Sequence, residues 1–233
     1  MIELARRDGR PLRIGHRGAA ALAPENTLES IALAVELGCD LVEFDVHEVD
    51  GALVIAHERP VAAGELPTLD AVLGYLATTH AGVHLDLKST GAEEVVAEEL
   101  RRHELVDRTL VSSFRRGTLR RLHGVEPALR LGRTYPQDRT GLTKRPVFHP
   151  PARAIVRVLR RALPRWIDRL LASSHATAAV LYWEVIGEPV VSRCHALGVP
   201  VLAWTVDDAE QLRWLDGLGV DGVITNDPRI FGG

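Results

Sequence analysis

Leu41-Val42-Glu43-Phe44-Asp45-Val46, followed by Asp50-Gly51 and then Leu53-Val54-Ile55-Ala56, is the stretch on which the fold turns. The first run is short, apolar and rich in strand formers. Asp50-Gly51 is a hairpin signal, because both central residues of the tight turn need positive φ. Leu53–Ala56 is then the return arm of a hairpin and not a member of the main strand series. With that arm set aside, eight candidate strands remain: Leu12–Gly15, Leu41–Val46, Val83–Leu87, Thr109–Ser112, Ala128–Gly132, Ala179–Tyr182, Val201–Trp204 and Gly222–Thr225. Amphipathic stretches fall between them, predicting helices over Asn26–Leu37, Leu69–Thr78, Ala92–His103, Arg116–His123, Arg153–Leu171, Glu188–Leu197 and Ala209–Leu215. Strand followed by helix, repeated, implies parallel strands joined by right-handed crossovers, and eight of them close a barrel. The expected fold is α/β, a single (β/α)8 TIM barrel, with residues 1–233 as one domain. A doubly wound open sheet would not need so many repeats in so few residues.

Local signals support the boundaries. Asn26-Thr27-Leu28-Glu29 reads as a capping box, with Asn26 as the capping residue. Pro67-Thr68-Leu69 opens a helix after a turn, and Gly38, Gly198 and Gly219 sit where helical patterns end. Tyr135 to Pro151 holds Pro136, Pro146, Pro150, Pro151 and Gly141, a long irregular connection that reads equally well as a lid or as plain linkage.

Composition excludes several classes. A hydrophobic fraction of 46% and a charged fraction of 25% are ordinary for a globular chain, and a net charge of -3 gives no reason to expect nucleic acid. No segment approaches the roughly 18 apolar residues of a membrane span. Glu3, Arg6, Arg7, Asp8 and Arg10 interrupt the N-terminus where a secretory signal would be apolar. Cys39 and Cys194 read as two buried thiols, which suits a cytoplasmic protein. Arg153 to Leu171 carries six arginines against Asp168. It is expected as an outer barrel helix, with peripheral contact to anionic lipid as the rival reading.

The chemistry gathers at strand ends, where barrels of this type place their active groups. The first strand ends in His16-Arg17-Gly18. The second carries Glu43 and Asp45 two residues apart, hence on one face. The hairpin arm ends in His57, the third strand carries Asp86 and Lys88 on one face, and the seventh ends in Trp204. Three converging carboxylates repel, so either some of Glu43, Asp45 and Asp86 are protonated or a cation sits among them. Oxygen-only ligation suits one hard divalent ion, Ca2+ or Mg2+, with Mn2+ a further option. Arg17 and Lys88 add the fixed positive charge that a phosphoryl group requires, and His16 and His57 offer an acid and a base. The substrate is therefore expected to be a small phosphodiester, with Arg17, Lys88 and Trp204 as its contacts. His47 is expected at the surface and His84 as a hydrogen-bonded core histidine. Asp86-Leu87-Lys88 also matches the Asp-x-Lys strand of barrel decarboxylases. Those carry a further Asp where this chain has Gly91, and their reading leaves His16, Glu43 and Asp45 unused.

These residues carry a resemblance. Gly15-His16-Arg17-Gly18, Ala23-Pro24-Glu25-Asn26-Thr27, Glu43-Phe44-Asp45-Val46 and Asp50-Gly51 look like the N-terminal signature of the glycerophosphodiester phosphodiesterase family. Pro67-Thr68-Leu69, Leu87-Lys88, Ser112-Ser113-Phe114, Trp204-Thr205-Val206 and Gly219 to Thr225 continue it in family order. The resemblance implies metal-dependent hydrolysis of a glycerophosphodiester to glycerol 3-phosphate and an alcohol. Glu43, Asp45 and Asp86 would then be metal ligands, His16 and His57 the acid/base pair, and Lys88 with Arg17 the phosphate holders. The chain departs from the family pattern at Asp86, where Glu is usual, and at Glu58, where Asp is usual. A sizeable insertion is also missing between His57 and Pro67. Asp-x-Lys is similar too to the related sphingomyelinase D-type barrel, so phospholipase D-type cleavage of choline lipids is the alternative activity. A non-catalytic phospholipid-binding barrel is the alternative from another class.

Overall fold

The structure, a computed structural model, describes residues 2–137 and 149–232, with side chains from 155 onward in the second segment. Among the described residues the strands are β1 (Leu12–Gly15), β2 (Leu41–Val49), β3 (Ala52–Ile55), β4 (Gly82–Leu87), β5 (Thr109–Ser113), β6 (Arg130–Tyr135), β7 (Ala178–Tyr182), β8 (Val201–Trp204) and β9 (Gly222–Thr225). Helices α1 (Leu28–Glu36), α2 (Leu69–Ala77), α3 (Glu93–Arg102), α4 (Arg116–Val125), α5 (His149–Ala162), α6 (Ile167–Ala172), α7 (Glu188–Ala196) and α8 (Ala209–Gly217) alternate with them. The sheet runs β1-β9-β8-β7-β6-β5-β4-β2, and a parallel β1–β2 pairing closes it into an eight-stranded barrel. β3 lies antiparallel on β2, with Val46 opposite Ile55 and Val49 opposite Ala52. The Asp50-Gly51 hairpin and the closed barrel are both as the sequence predicts, and both turn residues have positive φ.

Strand alternation divides the core in two. Val42, Phe44 and Val46 of β2 point outward and are buried beneath Ile31, Ala34, Leu69, Val72 and Leu73 of α1 and α2. The inner faces contribute Leu12, Ile14, Leu41, Leu110, Val180, Leu202 and Ile224, which fill the lower barrel. The next inward positions of β2 and β4 are Glu43, Asp45, His84 and Asp86, so the polar site sits on top of an apolar plug.

Three boundaries differ from the sequence expectation. The sixth strand is Arg130–Tyr135 and not Ala128–Gly132, because α4 runs on to Val125 and the turn after it takes up Ala128 and Leu129. The basic stretch 153–171 is not one helix. Pro164 sits in a single 3-10 turn, Leu163–Arg165, that separates α5 from α6. Leu163, Ile167 and Leu171 pack into the core, whereas Ile155 and Val158 stand exposed. The cap of α1 is Thr27, whose side chain accepts from Ser30 N, and not Asn26. The lid question raised by Tyr135 to Pro151 concerns residues that lie largely outside those described. Among the described residues no helix is long and apolar enough to cross a membrane. Cys39 and Cys194 are buried and unpaired, as expected.

Candidate functional site

Register brings the acids together. In the β2–β4 ladder Glu43 stands beside His84 and Asp45 beside Asp86. One carboxylate oxygen from each of Glu43, Asp45 and Asp86 lies within 4.8 Å of the others, and all three residues are buried. Asp45 takes Lys88 Nζ at 2.7 Å, Arg17 Nε at 3.1 Å and Asn26 Nδ2 at 3.0 Å, while its own N–H donates to Asn26 Oδ1 at 3.1 Å. Lys88 also bridges to Asp86. Burial pushes Asp45 toward protonation, but Lys88 and Arg17 outweigh it and hold the carboxyl below its ordinary value. Glu43 goes the other way: burial first, and the charge of Asp45 second, raise it well above the carboxylate range. Three converging buried acids against two fixed cations, all with oxygen donors, fit one hard divalent cation.

Asp86 has a further anchor. Ser112 Oγ donates to Asp86 Oδ1 at 3.1 Å and meets His84 Nε2 at 2.9 Å. With its proton given to Asp86, the hydroxyl can only accept from His84, so His84 carries its hydrogen on Nε2. Its buried Nδ1 has no hydrogen-bond partner, and burial pushes the ring down to about 3. His84 is thus the hydrogen-bonded core histidine expected from the sequence.

The two histidines occupy different settings. His16 closes β1, with Nε2 at 3.9 Å from Glu43 Oε2 and Nδ1 at 2.6 Å from Asn226 Oδ1. Burial, and then the charge of Arg17, push it down to about 4, against the bond to Asn226. His57 follows β3 at the mouth, one-third exposed, with Nδ1 at 3.7 Å from Glu25 and 3.9 Å from Glu58. Burial and Arg17 lower it too. Arg17, at φ 50, donates its backbone N–H to Glu43 Oε2 at 2.9 Å and its guanidinium to Glu25 at 2.6 Å. Trp204 donates from Nε1 to Val180 O at 3.2 Å and meets Phe114 edge-on, centroids 5.9 Å apart. Tyr182 lies 5.5 Å from Trp204, and Lys88 Nζ stands 5.8 Å from the Phe114 centroid. An aromatic wall therefore borders the charged cluster.

All eight residues singled out from sequence (His16, Arg17, Glu43, Asp45, His57, Asp86, Lys88 and Trp204) lie at the same end of the barrel. Two other expectations fail. His47 is buried, not at the surface, with Nε2 against His57 O at 3.4 Å. Asn26, at φ 58, spends its amide on Asp45 and not on the helix. Sequence reasoning also missed Glu25, Ser112, Asn226 and Asp207. Asn226 was within reach, since it directly follows the last strand; Asp207 had no local signal. A cleft of about 590 Å³ opens beside His16, lined by Arg17, Glu25, Asp207, Asn226 and Asp227 among others.

The profile of the Glycerophosphoryl diester phosphodiesterase family matches residues 16–74 and 66–230. A glycerophosphodiester phosphodiesterase of Caldanaerobacter subterraneus is 28% identical over 257 aligned residues, covering 94% of this chain and 96% of that protein. A probable glycerophosphodiester phosphodiesterase 2 of Mycobacterium tuberculosis is 29% identical, covering 97% and 90%. Among solved structures, a putative glycerophosphoryl diester phosphodiesterase from Silicibacter pomeroyi superposes with a TM-score of 0.77 at 23% identity, over 97% of this chain and 93% of that one. A phosphodiesterase of Oleispira antarctica, in complex with the product sn-glycerol-3-phosphate, superposes with a TM-score of 0.75 at 25% identity, over 96% of each chain. With the family's pattern spanning nearly all of it and the barrel in place, the chain belongs to the glycerophosphoryl diester phosphodiesterase family, a family of phosphoric diester hydrolases.

Proposed function

We propose that this protein hydrolyses glycerophosphodiesters to glycerol 3-phosphate and an alcohol, with a divalent cation held by Glu43, Asp45 and Asp86. The observation that carries this reading is the convergence of those carboxylates with Lys88 and Arg17 between two imidazoles. Its direct support from relatives is the product-bound Oleispira phosphodiesterase. Held by Glu43, Asp45 and Asp86, Ca2+ or Mg2+ would supply Lewis-acid neutralisation of the phosphate oxygens. Lys88 and Arg17, already turned toward the cluster, hold the remaining negative charge that builds on the non-bridging phosphate oxygens. One histidine takes the proton of the attacking water, the P–O bond to the alcohol breaks, and the other histidine protonates the departing oxygen. Asp86 in place of the longer Glu leaves its carboxylate one methylene further back, where Ser112 holds it. Trp204 and Phe114 then present a wall to the uncharged part of the substrate.

The test is turnover of glycerophosphocholine by purified wild type, His16→Ala and His57→Ala, with circular dichroism to verify folding. Each variant is expected to keep the wild-type spectrum and lose at least about a hundredfold in kcat. Choline released from a lysophospholipid, with none from the soluble diester, would replace this reading by the phospholipase D-type one.

A further inference from the structure

At the rim above β9, Asp207 grips the segment that touches His16. Its Oδ1 accepts the backbone N–H of Asn226 at 2.7 Å and Thr225 Oγ1 at 3.1 Å. Its Oδ2 accepts Asn226 Nδ2 at 2.6 Å. The other end of the Asn226 amide, Oδ1, meets His16 Nδ1 at 2.6 Å. A carboxylate only accepts, so the atom facing Asp207 must be the amide nitrogen; the reverse orientation would set two acceptors against each other. The atom facing His16 is therefore an oxygen, which also only accepts, and His16 must place its hydrogen on Nδ1. Neutral imidazole has one hydrogen, so Nε2, 3.9 Å from Glu43, keeps its lone pair.

We propose that Asp207, acting through Asn226, is a positioning residue that fixes His16 in the Nδ1–H form and leaves Nε2 bare on the side of the carboxylate cluster. Its catalytic meaning rests on the function proposed above: His16 is then the resting enzyme's proton acceptor, and His57 is left to donate. The tautomer itself does not depend on that function. Second partners of this kind typically change activity by about ten- to a hundredfold when removed.

Asp207→Asn is the informative variant because it is isosteric. The backbone N–H of Asn226 still demands an oxygen at the first position, so the new amide nitrogen faces Asn226 and forces its amide to turn over. Asn226 Nδ2 then points at His16, which is predicted to move its hydrogen to Nε2. Exchanging the pair, Asp207→Asn with Asn226→Asp, puts an acceptor back against His16 Nδ1 while keeping every other bond. Long-range 1H–15N spectra of the 15N-histidine-labelled protein, with His16 assigned by its loss in His16→Gln, read which nitrogen is protonated. We expect Nδ1–H in wild type, Nε2–H in Asp207→Asn and Nδ1–H in the exchanged pair. In step with this, kcat should fall about ten- to a hundredfold and then recover, with KM for glycerophosphocholine and the melting temperature little changed. Nε2–H in the wild-type ring, or an unaltered tautomer in Asp207→Asn, overturns the proposal. If the spectra come out as expected but no diester is turned over, the proposed function fails and the positioning stands.

Discussion

Asn26 shows how one residue can carry two readings that only register separates. Its type and its place before a helix suit a cap, yet Thr27 caps α1 and Asn26 reaches 19 positions along the chain to Asp45 with both ends of its amide. Asn26→Ala should therefore leave the helix intact and unseat Asp45. The expected result is a melting temperature within a few degrees of wild type and a roughly ten- to hundredfold loss in activity, accompanied by weaker cation binding. Titration with Mg2+ or Ca2+ of the wild type and the variant checks this. Lys88→Met should be more severe, because it strips Asp45 and Asp86 of their shared cation and removes a phosphate contact. A loss of about a hundredfold or more in kcat is expected. The strand-end residues were legible because period-two spacing puts Glu43 with Asp45 and Asp86 with Lys88 whatever the tertiary detail. Asp207 was not, since its link to His16 runs through Asn226 across three loops that sequence spacing cannot align.

Among the elements, the turn after β1 is the most constrained. Gly18 has φ 82, and a Cβ there would lie 2.1 Å from Ser30 Oγ and 2.4 Å from Ser30 C in α1. Gly18 N also donates to Glu43 O at 3.1 Å, so the close approach of this turn to α1 and β2 seats Arg17 against the acids. Gly18→Ala is expected to cost roughly 2–4 kcal/mol in chemical denaturation and to lower activity as well, because relieving the clash moves Arg17. Local caps mark the start of some helices, Thr68 on α2 and Asp208 on α8, whereas α3 and α7 begin where the sequence places them without a side-chain cap. The expectation of one helix over 153–171 spans both α5 and α6 because apolar and basic residues continue through Pro164, and proline decides by geometry what periodicity leaves open. β6 departs from the expectation because Arg130, Gly132 and Thr134 take one face and Arg133 falls between Leu131 and Tyr135 on the other, so polar residues interrupt the alternation on both. Arg133 instead donates to Ser113 O and Phe114 O of the neighbouring strand end.

At the scale of the molecule, closure of the barrel joins β1 to both β2 and β9, and a charged clasp guards that seam. Asp40, nearly buried, pairs with Arg7 at 2.8 Å and Arg10 at 2.7 Å and accepts the N–H of Arg13 at 2.8 Å. Burial alone would raise its carboxyl, but the bonds from Arg10 and Arg13 hold it below the ordinary value. A depressed carboxyl adds stability that is present above the unfolded-state pKa and lost as pH falls through the folded one. Asp40→Asn should thus cost about 1–3 kcal/mol near neutrality, and the difference from wild type should vanish on acidification below the carboxylate range. Urea unfolding at a series of pH values measures both. Repetition made the barrel readable from the chain, because eight strand–helix units of this length leave little else to build. The cleft beside His16 was not readable, since it depends on how the loops after β1, β8 and β9 meet.

On the proposed function, Glu43, Asp45 and Asp86 hold a divalent cation that serves diester hydrolysis. The most direct measurement is the rate of glycerol 3-phosphate release from glycerophosphocholine before chelation, after exhaustive chelation, and after Mg2+ or Ca2+ is restored. Turnover that vanishes with the chelator and returns with the ion is the predicted result. Turnover that persists undiminished in chelator would contradict it.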